Sequence, residues 1–90
     1  MAYFAAFLAM QNPERNQELR PQHLQYLKDR EEEGKLFGCG PFADGSGGLV
    51  IYKADSYEEA KEIAEKDPYV TEGVRRLELR EWKFTQTVQL

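Results

Sequence analysis

The chain has 90 residues, of which 41% are hydrophobic, 31% are charged and 12% are aromatic, a composition that indicates one globular domain and excludes a disordered chain. Its net charge of −4 comes from interleaved acidic and basic residues, so the sequence offers no basic stripe for binding nucleic acid. The single cysteine and the single histidine exclude an intrachain disulfide and a zinc site, and nothing requires an oxidising compartment, so we expect a cytoplasmic protein.

The first predicted element is a central β-strand from Ala2 to Met10, because this run is apolar on both faces. It is too short to span a bilayer and lacks the basic start of a signal peptide, so we expect no association with a membrane. Residues 13–19 are polar and predict a loop. A helix is predicted from Arg20-Pro21, since proline suits the first helical turn, to just before Gly34, a residue type that often follows a helix.

The apolar stripe of this helix is predicted at Leu24 and Leu27. Two further strands follow, at residues 35–42 and 49–54. The glycine-rich stretch at residues 44–48 between them indicates the turn of a hairpin.

The second helix is predicted to begin at a capping box formed by Ser56 and Glu59. Asp67-Pro68 ends it, because a residue before proline disfavours the helical conformation. The last strand runs through residues 74–84. Its apolar spacing changes from even to odd between Leu79 and Trp82, which predicts a bulge.

The element order β-α-β-β-α-β predicts an α+β domain of the ferredoxin-like class, with a four-stranded antiparallel sheet and two helices on one face. We assign residues 1–84 to this domain and residues 85–90 to a C-terminal tail. The other sheet face would expose apolar side chains of the first and third strands, so we expect a second copy of the chain to cover it. The alternative is that the tail covers it, with only Val88 and Leu90 as large apolar residues.

His23, at the predicted helix start, is a candidate general base, because helix-start dipoles favour the neutral imidazole. The alternative is a histidine that only decorates the helix. Asp67 is a second candidate, and its alternative role is to cap the turn at Pro68. Arg20 and Tyr69 are candidate substrate-binding residues; alternatively, they are a solvated arginine and a core or interface aromatic. Cys39 is expected to be an inert buried thiol.

Several short motifs together resemble the YciI-like (YCII-related) family, in its order and spacing, from the first strand to about Trp82. They are Arg20-Pro-x-His23-Leu-x-x-Leu27, Glu33-Gly34-Lys35-Leu36, Gly40-Pro41, Ala54-Asp55-Ser56 and Asp67-Pro68-Tyr69-Val70-x-x-Gly73-Val74. The resemblance implies a dimeric α+β barrel in which two sheets pack face to face. It also implies that the active-site histidine and aspartate of the family correspond to His23 and Asp67.

The resemblance further implies a small cyclic or aromatic ligand, since a relative is a dehydrochlorinase of a chlorinated hydroxyhydroquinone and the wider superfamily includes muconolactone isomerases. We therefore expect either a cofactor-free acid–base enzyme of the lyase, isomerase or dehalogenase type, or a non-catalytic metabolite-binding module with a structural histidine–aspartate pair. In the first case, Asp67 would orient His23. Phe4, Phe37 or Tyr52 would form the pocket walls, and no metal or organic cofactor is expected.

Overall fold

A computed structural model describes residues 1–88 of the chain. The elements are β1 (Ala2–Met10), α1 (Pro13–Glu32), β2 (Leu36–Pro41), β3 (Gly47–Ala54), α2 (Tyr57–Glu65), α3 (Pro68–Thr71) and β4 (Arg75–Trp82). The predicted order is confirmed, with the short helix α3 added before the last strand.

The four strands form one antiparallel sheet in the order β2-β3-β1-β4, the ferredoxin-like arrangement. β1 lies between β3 and β4 and pairs with both over most of its length. The helices cover one face, where Leu27 of α1 and Ala64 of α2 pack on the sheet. The strand side chains buried beneath them are Phe4, Ala6, Leu8, Val50, Tyr52 and Ala54.

The opposite sheet face, which we call the open face, carries a band of apolar side chains without a helix above it. Register places Tyr3, Ala5 and Phe7 of β1 beside Leu49 and Ile51 of β3 on this face. Aromatic side chains from β2, β4 and the segments after them extend the band: Phe37, Phe42, Trp82 and Phe84. The first and third strands are therefore apolar on both faces, as predicted.

The first helix begins at Pro13, so the predicted loop at residues 13–19 and the predicted start at Arg20-Pro21 are wrong. The Oδ1 of Asn12 accepts a hydrogen bond from the backbone N–H of Arg15 and caps the helix, with Pro13 in the first turn. Pro21 lies inside the helix instead. His23 is consequently in the middle of α1, and the argument from helix-start dipoles does not apply to it, because that effect is confined to the terminal turn.

The last strand has no bulge, in contrast to the sequence prediction. β4 pairs with β1 in continuous register from Tyr3 opposite Trp82 to Met10 opposite Arg75. The change of spacing in the sequence reflects a change of face, since Leu77 and Leu79 point toward the helices whereas Trp82 lies on the open face. The irregularity of the sheet is in β2, between Leu36 and Gly38.

Two of the predicted helix-end signals are confirmed. The backbone N–H of Glu59 donates to Ser56 Oγ at 3.1 Å, and the Glu59 carboxylate in turn accepts from the backbone N–H of Asp55 at 3.1 Å. Gly34 follows α1 with a φ of 77°, a left-handed conformation that favours glycine.

Val88, in the described part of the tail, is 81% exposed and therefore does not cover the open face. Leu90, the other apolar residue of the predicted tail, lies outside the described residues. Within residues 1–88, no helix has both the length and the apolar character needed to cross a membrane.

Candidate active site

His23 lies on the buried side of α1, between two leucines one helical turn away on either side. Leu19, His23 and Leu27 follow each other at intervals of four residues and are the buried residues of this helix. Leu19 packs with Tyr69 and Val74, and Leu27 belongs to the main core. The early start of α1 thus gives His23 a fixed place between two apolar clusters.

The imidazole of His23 contacts the carboxylate of Asp67, with Nδ1 2.8 Å from both Oδ1 and Oδ2. Asp67 is fully buried, and its Oδ1 also accepts a hydrogen bond of 2.9 Å from the backbone N–H of Tyr69 at the start of α3. Capping and pairing with His23, which the sequence left as alternatives, therefore occur together. Because a carboxylate only accepts hydrogen bonds, Nδ1 carries the hydrogen of the neutral imidazole and Nε2 carries its lone pair.

The ring of Tyr69 stacks on the imidazole of His23, with a centroid distance of 4.0 Å and an angle of 18° between the planes. Tyr69 is buried, and its hydroxyl donates a long hydrogen bond of 3.3 Å to the backbone carbonyl of Asn16 in α1. This tyrosine therefore fixes the plane of the imidazole while Asp67 fixes its rotation.

A cavity of about 180 Å³ lies between α1 and the β2–β3 half of the sheet. His23 and Tyr69 reach its wall, whereas Asp67 lies behind the imidazole and does not line it. The other lining residues are Leu8, Arg20, Leu24, Leu27, Cys39, Gly40, Pro41, Gly48, Leu49, Val50 and Arg75. The volume exceeds that of cavities of about 150 Å³ that bind benzene in proteins.

Arg75 is a lining residue that sequence reasoning missed. It is buried, with 7% of its surface exposed, and its Nε and Nη2 donate hydrogen bonds of 3.1 and 2.9 Å to Oδ1 of Asn16. Its guanidinium carbon lies 4.4 Å from the centroid of the Tyr69 ring. Burial lowers the pKa of Arg75, and the charge of Arg20 acts in the same direction. The sequence signal that could have identified Arg75 is its spacing from Leu77. Residues two apart in a strand lie on the same face, so an arginine two residues before the apolar Leu77 is expected on the buried face.

The structure brings the four predicted site residues to the same region, although Arg20 is an exposed residue at the cavity wall. Leu24 also lines the cavity and is 44% exposed, so the helix stripe predicted at Leu24 and Leu27 is wrong for Leu24. The true stripe uses Leu19 and His23, because the helix starts earlier than predicted.

Two other predictions about the pocket are wrong. Cys39 is exposed at the cavity wall rather than buried, although partial burial of its sulfur still raises the pKa of the thiol. Phe4, Phe37 and Tyr52 do not line the cavity, since Phe4 and Tyr52 lie in the core and Phe37 packs on Tyr3 at the open face.

The sequence model of the YCII-related domain matches residues 1–83. The chain belongs to the YCII-related family. It is 40% identical over 82 residues to the uncharacterized protein YjpA of Bacillus subtilis (strain 168), an alignment that covers 91% of this chain and 96% of YjpA. It is 35% identical over 71 residues to protein YciI of Escherichia coli O6:H1, covering 68% of this chain and 72% of YciI. The predicted family is thereby confirmed.

Among solved structures, the fold is similar to 5-chloro-2-hydroxyhydroquinone dehydrochlorinase (TftG) from Burkholderia phenoliruptrix AC1100, in complex with 2,5-dihydroxybenzoquinone. The TM-score is 0.78 at 21% sequence identity, and the match covers 93% of this chain and 96% of TftG. At this identity the similarity establishes the ferredoxin-like α+β fold shared by the two proteins. Within residues 1–88, no three histidine, cysteine, aspartate or glutamate side chains are grouped as metal ligands.

Proposed function

We propose that this chain is a cofactor-free acid–base enzyme that acts on a small cyclic or aromatic metabolite, with His23 as the catalytic base or acid and Asp67 as its partner. The observation that carries this proposal is the orientation of the pair. The imidazole reaches the cavity, whereas the fully buried carboxylate lies behind it and holds Nδ1.

The chemistry follows from this orientation. Nε2 has the lone pair of the neutral ring and can take a proton from a ring carbon or hydroxyl of a bound molecule. The imidazolium that results is stabilised by the carboxylate of Asp67, as in other histidine–aspartate pairs, and the proton can then be returned to a different atom or to a leaving group. An isomerase or a lyase of the dehalogenase type needs these two proton transfers.

The size and charge of the cavity support a ring-shaped substrate. About 180 Å³ is enough for one substituted six-membered ring, and the wall is mostly apolar with the cations of Arg20 and Arg75 at its edge. We propose Arg20 and Tyr69 as substrate-binding residues, the first by its charge and the second by the edge of its ring, since His23 and Arg75 pack on the ring faces. TftG, which shares the fold, is described with a hydroxylated six-membered ring bound to it.

We also propose that a second copy of this chain covers the open face. Its side chains Phe37, Phe42 and Trp82 are 47%, 39% and 42% exposed, and monomers rarely tolerate a contiguous exposed apolar patch. On the edge strand β4, the side chains of Arg76, Glu78 and Arg80 form ion pairs on the same face. An apolar centre bordered by paired charges is the usual composition of an interface between identical subunits.

The catalytic role of His23 can be tested with hydroxylated and chlorinated ring compounds. We would measure release of chloride from 5-chloro-2-hydroxyhydroquinone and exchange of the ring hydrogens of 2,5-dihydroxybenzoquinone in D2O. The parent protein should accelerate at least one of these reactions, and His23→Gln should slow it by about 10²- to 10⁴-fold. Equal rates for the parent and His23→Gln would contradict the proposal. Binding without any reaction by the parent would instead indicate a non-catalytic metabolite-binding module.

A further inference from the structure

We propose that Arg75 and the groups that hold it form an anion-binding subsite of the cavity, which selects ring compounds with a carboxylate or phenolate substituent. This inference deepens the proposed function and rests on it for the identity of the cavity as the substrate site. It adds the charge of the ligand and the residue that recognises it.

The first observation is a buried positive charge without a carboxylate beside it. Only 7% of the surface of Arg75 is exposed. Among residues 1–88, however, no aspartate or glutamate forms an ion pair with it. Its contacts are the neutral amide of Asn16 and the ring of Tyr69. The charge of Asp67 acts on Arg75 from a distance in the direction that favours the charged guanidinium. The two side chains form no ion pair, since the Asp67 oxygens contact His23 and the backbone N–H of Tyr69. A buried cation is costly unless an anion compensates it, and an anionic ligand would provide that compensation.

The second observation is that Arg75 has a free edge at the cavity. Asn16 accepts hydrogen bonds from Nε and Nη2, whereas Nη1 donates none within the described residues. The amide of Asn16 binds one edge of the guanidinium, and the ring of Tyr69 packs against its plane. These two contacts fix the orientation of the group and leave Nη1 free to donate to a ligand. Such an arginine is preorganised, so little conformational entropy is lost when it binds a carboxylate.

The third observation is the glycine beneath the guanidinium. Gly48 of β3 lies two strands away from Arg75 in the sheet, and both line the cavity. A Cβ atom built on Gly48 would lie 3.0 Å from Nη1 of Arg75 and 2.9 Å from the backbone oxygen of Gly40. The missing side chain therefore provides the space in which Nη1 reaches across the sheet to the cavity.

Benzoate and benzamide provide a matched test, since the two probes have nearly the same shape and differ in charge. Binding is measured by isothermal titration calorimetry with the full chain. We expect the parent to prefer benzoate, and Arg75→Gln to lower the affinity for benzoate by about 10- to 100-fold with little change for benzamide. Asn16→Asp is the second variant. It is isosteric and gives Arg75 an internal carboxylate, so it should remove the preference for benzoate while the protein stays folded.

Lys61→Gln is the matched control, because it removes one positive charge at an exposed position outside the cavity, and it should keep the preference for benzoate. The proposal is overturned if the parent binds neither probe or binds both equally, if folded Asn16→Asp keeps the preference, or if Arg75→Gln keeps it as Lys61→Gln does. His23→Gln distinguishes the two proposals. A variant that has lost turnover and keeps the preference for benzoate supports both, whereas unchanged turnover in His23→Gln rejects the proposed reaction and leaves the anion subsite standing.

Discussion

Removing the carboxylate of Asp67 should destabilise the protein through two contacts at once. Asp67→Ala deletes the acceptor of the Tyr69 backbone N–H at the start of α3 and the acceptor of the His23 Nδ1 hydrogen. Asp67→Asn keeps the size of the side chain and one neutral oxygen that can accept from the backbone N–H and from the imidazole, but it replaces the other oxygen by an amide nitrogen that cannot accept.

The expected size of the effect follows from these contacts. Loss of a capping side chain costs about 1 kcal/mol, and a buried N–H without an acceptor costs about 1–3 kcal/mol. The free energy of unfolding should therefore fall by about 2–4 kcal/mol in Asp67→Ala. In Asp67→Asn it should fall by about 1–2 kcal/mol, the difference between a charged and a neutral hydrogen bond.

Urea denaturation at pH 7, followed by circular dichroism, measures both values. Asp44 provides the control, because its Oδ1 accepts a 2.9 Å hydrogen bond from the backbone N–H two residues later, as in Asp67, but at the exposed surface and with no histidine. Asp44→Ala should cost less than about 1 kcal/mol. If Asp67→Ala is no more destabilising than Asp44→Ala, the reasoning about the buried pair is refuted.

Three further predictions concern the thiol, the open face and the end of the domain. Burial raises the pKa of the Cys39 thiol, so a smaller fraction of it is thiolate at a given pH. Iodoacetamide should therefore alkylate Cys39 more slowly than it alkylates the thiol of free glutathione at pH 7.5, and the rate should rise toward higher pH. An equal or faster rate for Cys39 would contradict this prediction. Phe42→Glu on the open face should convert a dimer into a monomer in light scattering, whereas Tyr57→Glu, which is similarly exposed on the helix side, should not; a Phe42→Glu protein that stays dimeric would exclude this face as the interface. We propose that the domain ends at Phe84, whose ring contacts three other aromatic rings. In urea denaturation, a chain ending at Phe84 should have the same free energy of unfolding as the full chain, whereas a chain ending at Lys83 should have one lower by about 1–3 kcal/mol. Equal stability of the two truncated chains would place the boundary earlier.

The element order could be predicted from the sequence because each element has a distinct local pattern. Strands that are apolar on both faces are typical of sheet centres, and the capping box and Gly34 mark helix ends through contacts between near neighbours. The start of α1 was mispredicted because Pro13 and Pro21 give the same local signal. Which of them begins the helix depends on the burial of Leu19 against Tyr69 and Val74, a contact across the fold.

The site was less accessible to sequence reasoning. His23 and Asp67 are 44 residues apart, and their pairing was expected through the family resemblance rather than from any spacing. The cluster of Asn16, Gly48 and Arg75 was missed because its members come from a helix and two strands that are not neighbours in the sheet. Each has an ordinary local role, and only the packing of α1 on the sheet brings them together.

Nitrogen NMR of the imidazole tests most directly whether His23 is the acid–base group of the cavity. The chain has one histidine, so its two ring nitrogens give an unambiguous pair of signals. We predict a hydrogen on Nδ1 and a lone pair on Nε2 in the neutral ring, and a change at Nε2 when benzoate or 2,5-dihydroxybenzoquinone is added. The opposite tautomer, or an Nε2 signal that no ring compound changes, would contradict the proposed role of His23.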